Sequence, residues 1–269
     1  MRFRLLLLLL AFSSATASAQ SERNLVYATE ESVTGLEVKG TLVSDRYAVV
    51  VANTVSVSEK YKGRPISVIT YALDCRARAV ADLLFAFNLS LTSHEEPKWA
   101  YSKPDWVPEG DINIVGAKYT PLQEYISGSL ALLSAEERAQ LPKPHHAAVI
   151  LDAGCAIAAD PPRAKEIARR FAETGGISDA KELTCRFGRE GPKFRWTIRF
   201  SDSAGAVQAN GRWLGAGSSV TPRRVSLEMP SIGFRASIDR STGELDGTME
   251  GRSAYSGQCE LATSAPPKF

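Results

Sequence analysis

The side chains with most chemistry to offer are four cysteines, three histidines, aromatics near residue 100 and arginines in the C-terminal third. Cys75, Cys155, Cys185 and Cys259 can pair as disulfides or hold a metal. A metal is the weaker choice, because no C-x-x-C occurs and no histidine stands at ligand spacing from a cysteine. Three disulfide pairings are open. Cys75–Cys155 with Cys185–Cys259 is preferred, since each pair then brackets one of two proposed domains. Loops of that size stabilise by about 4.5 kcal/mol each on the chain-entropy argument.

His145 and His146 lack nearby partners for a base or a metal site, whereas His94-Glu95-Glu96 could form an acid/base cluster. His94-Glu95-Glu96 falls in a long loop and His145-His146 in a polar one after Pro144, so both read as solvated. The chain has no G-x-S-x-G, no H-E-x-x-H and no phosphate-binding loop. Asp74 reads as a strand cap or a partner of Arg76. No catalytic residue, cofactor or metal ligand is assigned. A hydrolase whose site is assembled only by the fold stays open as an alternative.

The aromatics Trp99, Tyr101 and Trp106 are interleaved with Lys98 and Lys103 and suit contact with a protein or a cell-wall glycan. The competing reading has these rings plugging a sheet edge as core. Arg195 and Arg199 share the outward face of one strand, and Arg235 lies on another, with Arg223-Arg224 in the loop between. Such a face could hold carboxylate or phosphate groups. Ordinary solvated surface is the bland alternative, since residues 183–261 carry 11 basic and 8 acidic side chains, only a mild excess.

These residues must be positioned in some compartment, and the N-terminus indicates which. Two arginines in Met1-Arg2-Phe3-Arg4 precede an unbroken apolar run from Leu5 to Phe12 and a small-residue stretch ending Ala17-Ser18-Ala19-Gln20. That order predicts a signal peptide over residues 1–19 and a periplasmic or secreted protein. The run is too short to span a bilayer, and no later stretch is long enough, so no transmembrane segment is expected. Arg2 and Arg4 are two of the 32 basic residues, which leaves 30 against 30 acidic ones beyond residue 19. A neutral chain makes nucleic acid an unexpected partner. An even cysteine count in an oxidising compartment fits disulfides.

Hydrophobic residues make up 44% of the chain, enough for a core. Strands are predicted over 41–51 and 64–75, with Ile69, Tyr71, Leu73 and Cys75 on one face, and a third over Val80–Leu91. Residues 95–111 hold prolines and glycine and read as a loop. Helices follow at 121–133 and 134–141, the second opened by a capping box at Ser134-Ala135-Glu136-Glu137. Another starts at Asp160-Pro161-Pro162, with Asp160 as N-cap, and stops at Gly175-Gly176. Beyond it the period returns to two. Phe194, Trp196, Ile198 and Phe200 alternate with polar residues, as do Val225, Leu227 and Met229, then Phe234, Ala236 and Ile238. Turn residues at 202–205, 210–211 and 240–243 separate them.

The expected architecture is α+β: two small antiparallel β-sheet domains, the second a sheet or small barrel, joined by a helical segment. The divisions are 20–159, a helical linker 160–182, 183–261, and a disordered tail 262–269.

Tyr61-Lys62-Gly63-Arg64, Tyr71 through Asp74-Cys75-Arg76, and Pro104-Asp105-Trp106-Val107-Pro108-Glu109-Gly110 resemble the surface-adhesin protein E family of exported bacterial proteins. The likeness covers about residues 25–155. It implies a strand ending in Asp-Cys, a following strand pair, a tryptophan loop before a helix, a second cysteine, and surface binding without a stated ligand. The stretch from Trp106 to Cys155 is longer than the family's and holds an extra helix. Ser237-Ile238-Asp239-Arg240-Ser241-Thr242-Gly243-Glu244-Leu245 with Gly257-Gln258-Cys259 resembles a small β-domain of exported bacterial proteins. Its layout is also similar to periplasmic lysozyme inhibitors, with no motif that transfers an inhibitory residue. Taken together, these readings favour a non-enzymatic envelope protein that binds a protein or glycan surface.

Overall fold

A computed structural model describes residues 24–58, 61–88, 98–105, 107, 113–215, 217–250 and 253–262. The expected signal peptide, the tail beyond 262, His94 and Trp106 lie outside the described residues.

Alternating, β-branched segments form the first sheet. It is an antiparallel meander of β1 (Leu25–Ala28), β2 (Ser32–Val38), β3 (Tyr47–Ser56), β4 (Pro65–Asp74) and β5 (Ala79–Asn88). Two short strands share the far side of β5: β6 (Trp99–Ser102) pairs with its second half and β7 (Thr120–Pro121) with its start. The expected strands at 64–75 and from 80 correspond to β4 and β5. The one expected at 41–51 runs instead over 47–56, because Ser44 and Asp45 take left-handed turn backbone before it.

Helices α1 (Leu122–Ala131) and α2 (Ala135–Gln140) lie where expected. The capping box closes reciprocally: Glu137 N donates to Ser134 Oγ at 3.1 Å, and Ser134 N donates to the Glu137 carboxylate at 2.8 Å. Helix α3 (His146–Ala159) escaped the periodicity argument. It is apolar nearly all round, HAAVILDAGCAIAA, so it shows no polar stripe. Such a helix must be buried, and its Val149, Ile150, Leu151 and Ile157 pack on Val26, Leu36, Val50 and Leu73 of the sheet. Gly154 permits that contact, since a Cβ there would sit 2.7 Å from Leu73 Cδ1 and 2.9 Å from Val50 Cγ1. Helix α4 (Ala164–Thr174) adds Ile167, Ala168 and Phe171 to the same core and ends at Gly175 with φ 60°. Asp160 does not cap it. Pro161–Arg163 form a 3-10 turn first, and Asp160 makes no side-chain capping bond there.

The second sheet follows directly. It comprises β8 (Lys181–Gly188), β9 (Phe194–Ser201), β10 (Ala206–Ala209), β11 (Arg212–Trp213), β12 (Ser219–Val220), β13 (Arg224–Met229), β14 (Phe234–Asp239), β15 (Glu244–Met249) and β16 (Ser253–Leu261). Its order is β11-β10-β9-β8-β16-β15-β14-β13-β12, all antiparallel, and it curls into a half-barrel that brings β12 back beside β10. The alternation on β9, β13 and β14 is as expected, with Ile198, Phe200, Val225, Leu227, Phe234 and Ile238 buried. Asn210-Gly211, both with positive φ, makes the tight β10–β11 turn. The architecture is thus α+β, two antiparallel sheets joined by a helical segment.

Both preferred disulfides are present. Cys75–Cys155 ties the end of β4 to α3, and Cys185–Cys259 joins directly opposed residues of β8 and β16. The sheets meet at Trp213, 1% exposed, whose neighbour across a parallel bridge is Thr29. Its ring lies beside Gly175, where an added Cβ would sit 2.8 Å from Trp213 Cζ2.

Candidate functional site

Trp99 and Tyr101 lie on strand β6, not on a loop. Pairing overrides the turn-forming composition around them: Trp99, Ala100, Tyr101 and Ser102 stand opposite Asn88, Phe87, Ala86 and Phe85. Alternation then puts Trp99, Tyr101, Ala86 and Leu84 on one face, and Phe85 and Phe87 on the other. Tyr101 is 68% exposed, Leu84 39% and Phe87 43%, while Trp99 is half-buried. The corner therefore shows apolar side chains on both faces of the β5–β6 pair, and β6 pairs on one side only among the described residues.

The three arginines of the second sheet separate into two kinds. Arg199 Nε donates to Glu182 Oε2 at 2.7 Å, with Glu182 directly opposite on β8. Its Nη1 reaches the Glu173 carbonyl at the end of α4, beside Gln208, which donates to the Ala172 carbonyl at 2.9 Å. Arg199 is thus half-buried at the junction rather than part of an open face. Arg235 stands opposite Glu228 and pairs with it at 2.7 Å. Arg195 is exposed and stands opposite Arg186. Arg186 was missed in the sequence, although the alternation of Leu183, Cys185 and Phe187 already requires it to face outward. A cleft of about 390 Å³ opens beside it, lined by Arg186, Gln258 and Glu260 under Gly191-Pro192. A second hollow of about 580 Å³ lies at Asn24 and residues 161–166. Neither contains a histidine.

The other titratable groups are built into the fold. His145 and His146 are half-buried, not solvated, because they begin α3. His145 Nδ1 accepts from Ala147 N at 3.2 Å and so caps the helix. His146 packs 5.8 Å from the Tyr27 ring, and burial, then the neighbouring His145, pushes its pKa down to about 4. Asp74 is buried and closes the β4–β5 turn, accepting from Arg76 N at 3.2 Å and Ala77 N at 2.9 Å. Its charged partner is Arg46 rather than the Arg76 side chain. Arg46 Nε donates at 2.8 Å and holds the Asp74 carboxyl below the usual range. Asp82, half-buried on β5, accepts from the Tyr125 hydroxyl at 3.0 Å, and burial raises its pKa.

The fold and these sites define a disulfide-stapled α+β protein with two candidate surfaces: the β6 corner and the outer face of β8 and β9. No protein-family model, curated protein or solved structure matches the chain.

Proposed function

We propose that this is an exported envelope protein, not an enzyme, that binds the surface of a partner protein through the edge that strand β6 forms among the described residues of its first sheet. The observation that carries the reading is the β6 corner, where Tyr101 stands 68% exposed on an edge strand flanked by exposed Leu84 and Phe87. An edge strand offers a row of unpaired N–H and C=O groups, and apolar side chains on both faces grip an added strand. Two disulfides support an oxidising location. Among the described residues no helix is long and apolar enough to cross a membrane, which is compatible with a periplasmic or secreted protein.

The test is retention of purified protein on immobilised matrix proteins and lysozyme, with cell-wall fragments alongside. Retention on a protein that Tyr101→Asp abolishes is expected. Retention on glycan fragments alone would replace the protein partner with a glycan, and retention on none would remove the reading.

A further inference from the structure

Two arginines on the outer face of the second sheet each stand opposite a glutamate, and two others stand opposite each other. Arg199 stands opposite Glu182, and Arg235 opposite Glu228, each forming an ion pair at 2.7 Å. Arg195 stands opposite Arg186, both are exposed, and neither has an ion-pair partner among the described residues. Directly opposed like charges on a sheet repel, with Cβ atoms about 5 Å apart. Two forked guanidinium groups at that spacing are also the geometry that grips one tetrahedral oxyanion from two sides.

The surroundings form a recess at this point. The β8–β9 hairpin loop folds back over the outer face so tightly that a Cβ on Gly188 would lie 1.9 Å from the Gly191 carbonyl oxygen. That overhang and the sheet enclose the cleft of about 390 Å³ beside Arg186. Gln258 stands opposite Arg186 on its other side, so the row across three strands reads Arg195, Arg186, Gln258. Arg189 and Lys193 lie in the same loop, with Glu190 as its acid. Glu260 lines the cleft one row away, opposite Thr184, and forms no ion pair with Arg186.

We propose that Arg186 and Arg195 form a binding site for a phosphate-type oxyanion, seated between the two guanidinium groups, with Arg186 also lining the adjoining cleft. The site is separate from the β6 edge and does not depend on what that edge binds. A bound oxyanion turns the repulsive pair into two charge-assisted contacts, as Glu182 and Glu228 do for Arg199 and Arg235.

The test is titration of the purified protein with pyrophosphate at low ionic strength, with citrate at matched ionic strength as the carboxylate comparison. Pyrophosphate should bind, and Arg186→Ala and Arg195→Ala should each weaken it roughly fivefold or more, while Arg235→Ala leaves it unchanged. Equal loss in the Arg235 variant, or no loss in the other two, would overturn the proposal. Citrate binding as tightly would overturn the phosphate assignment. A second variant reads the same pair without ligand. Arg195→Glu should raise the thermal midpoint at low salt and abolish the response to pyrophosphate. A lowered midpoint would show that the two arginines do not repel, which contradicts the argument.

Discussion

The first sheet borrows its cover, whereas the second supplies its own. In the first, Leu36, Val50 and Leu73 are buried by Ile150 and Leu151 of α3 and Phe171 of α4. In the second, Phe187, Trp196, Phe234 and Tyr255 pack on one another, with Phe187 and Trp196 centroids 5.0 Å apart, as the sheet curls around them. The disulfides follow the same division: one ties a strand to a helix, the other ties a strand to its neighbour. The consequence reaches the surface. The first sheet, with helices on one face, ends among the described residues at strand β6, which carries Trp99 and Tyr101. A curled sheet brings its edges together and leaves a charged outer face.

Cysteine replacement tests the comparison with the largest expected effect. The bridges span 80 and 74 residues, so chain entropy assigns them nearly equal weight, about 4.5 kcal/mol each. Paired Cys→Ser variants compared by denaturant unfolding should differ by less than about 1 kcal/mol. A much larger loss for Cys75–Cys155 would show that helix docking, not loop closure, carries the first sheet. The helix cover can be challenged directly. Gly154→Val forces methyl groups into Leu73 and Val50 and should cost about 3 kcal/mol, while Tyr101→Ala on β6 should cost under about 0.5 kcal/mol.

Two carboxylates in the first sheet give smaller, pH-dependent effects of opposite sign. Asp74 is held below its ordinary pKa by Arg46, so its stabilisation is full above the unfolded-state value and disappears as pH falls through the lowered folded-state value. Asp74→Asn should cost about 1–2 kcal/mol at neutral pH and flatten the acid limb of a stability curve. Asp82 is raised by burial, so its favourable contribution is full below the unfolded-state value and lost as pH climbs through the raised one. Asp82→Asn should therefore be neutral or stabilising at pH 7, within about 1 kcal/mol, and remove that decline.

Much of this comparison was legible in the residues. Period-two alternation located β4, β9, β13 and β14, a long apolar run located β5, and bracketing by domain selected the disulfide pairing. Ser134 with Glu137 marked the start of α2. What escaped was set by tertiary contact. Helix α3 has no polar stripe to reveal it, because both its neighbours are apolar. β6 is made a strand by β5, against a composition that reads as loop. His145 and His146 look solvated until α3 is seen to begin at them. The arginines were legible as an outward face, but whether each met a glutamate or another arginine depends on strand register, which the sequence does not state.

The central claim is that the β6 edge of the first sheet is a binding surface. Its most direct measurement is surface-plasmon titration of wild type and Tyr101→Ala over the retained partner protein, with Arg235→Ala as a charge control. The account predicts at least about a tenfold loss for Tyr101→Ala with unchanged thermal stability, and no change for Arg235→Ala. Equal affinity of wild type and Tyr101→Ala would contradict it.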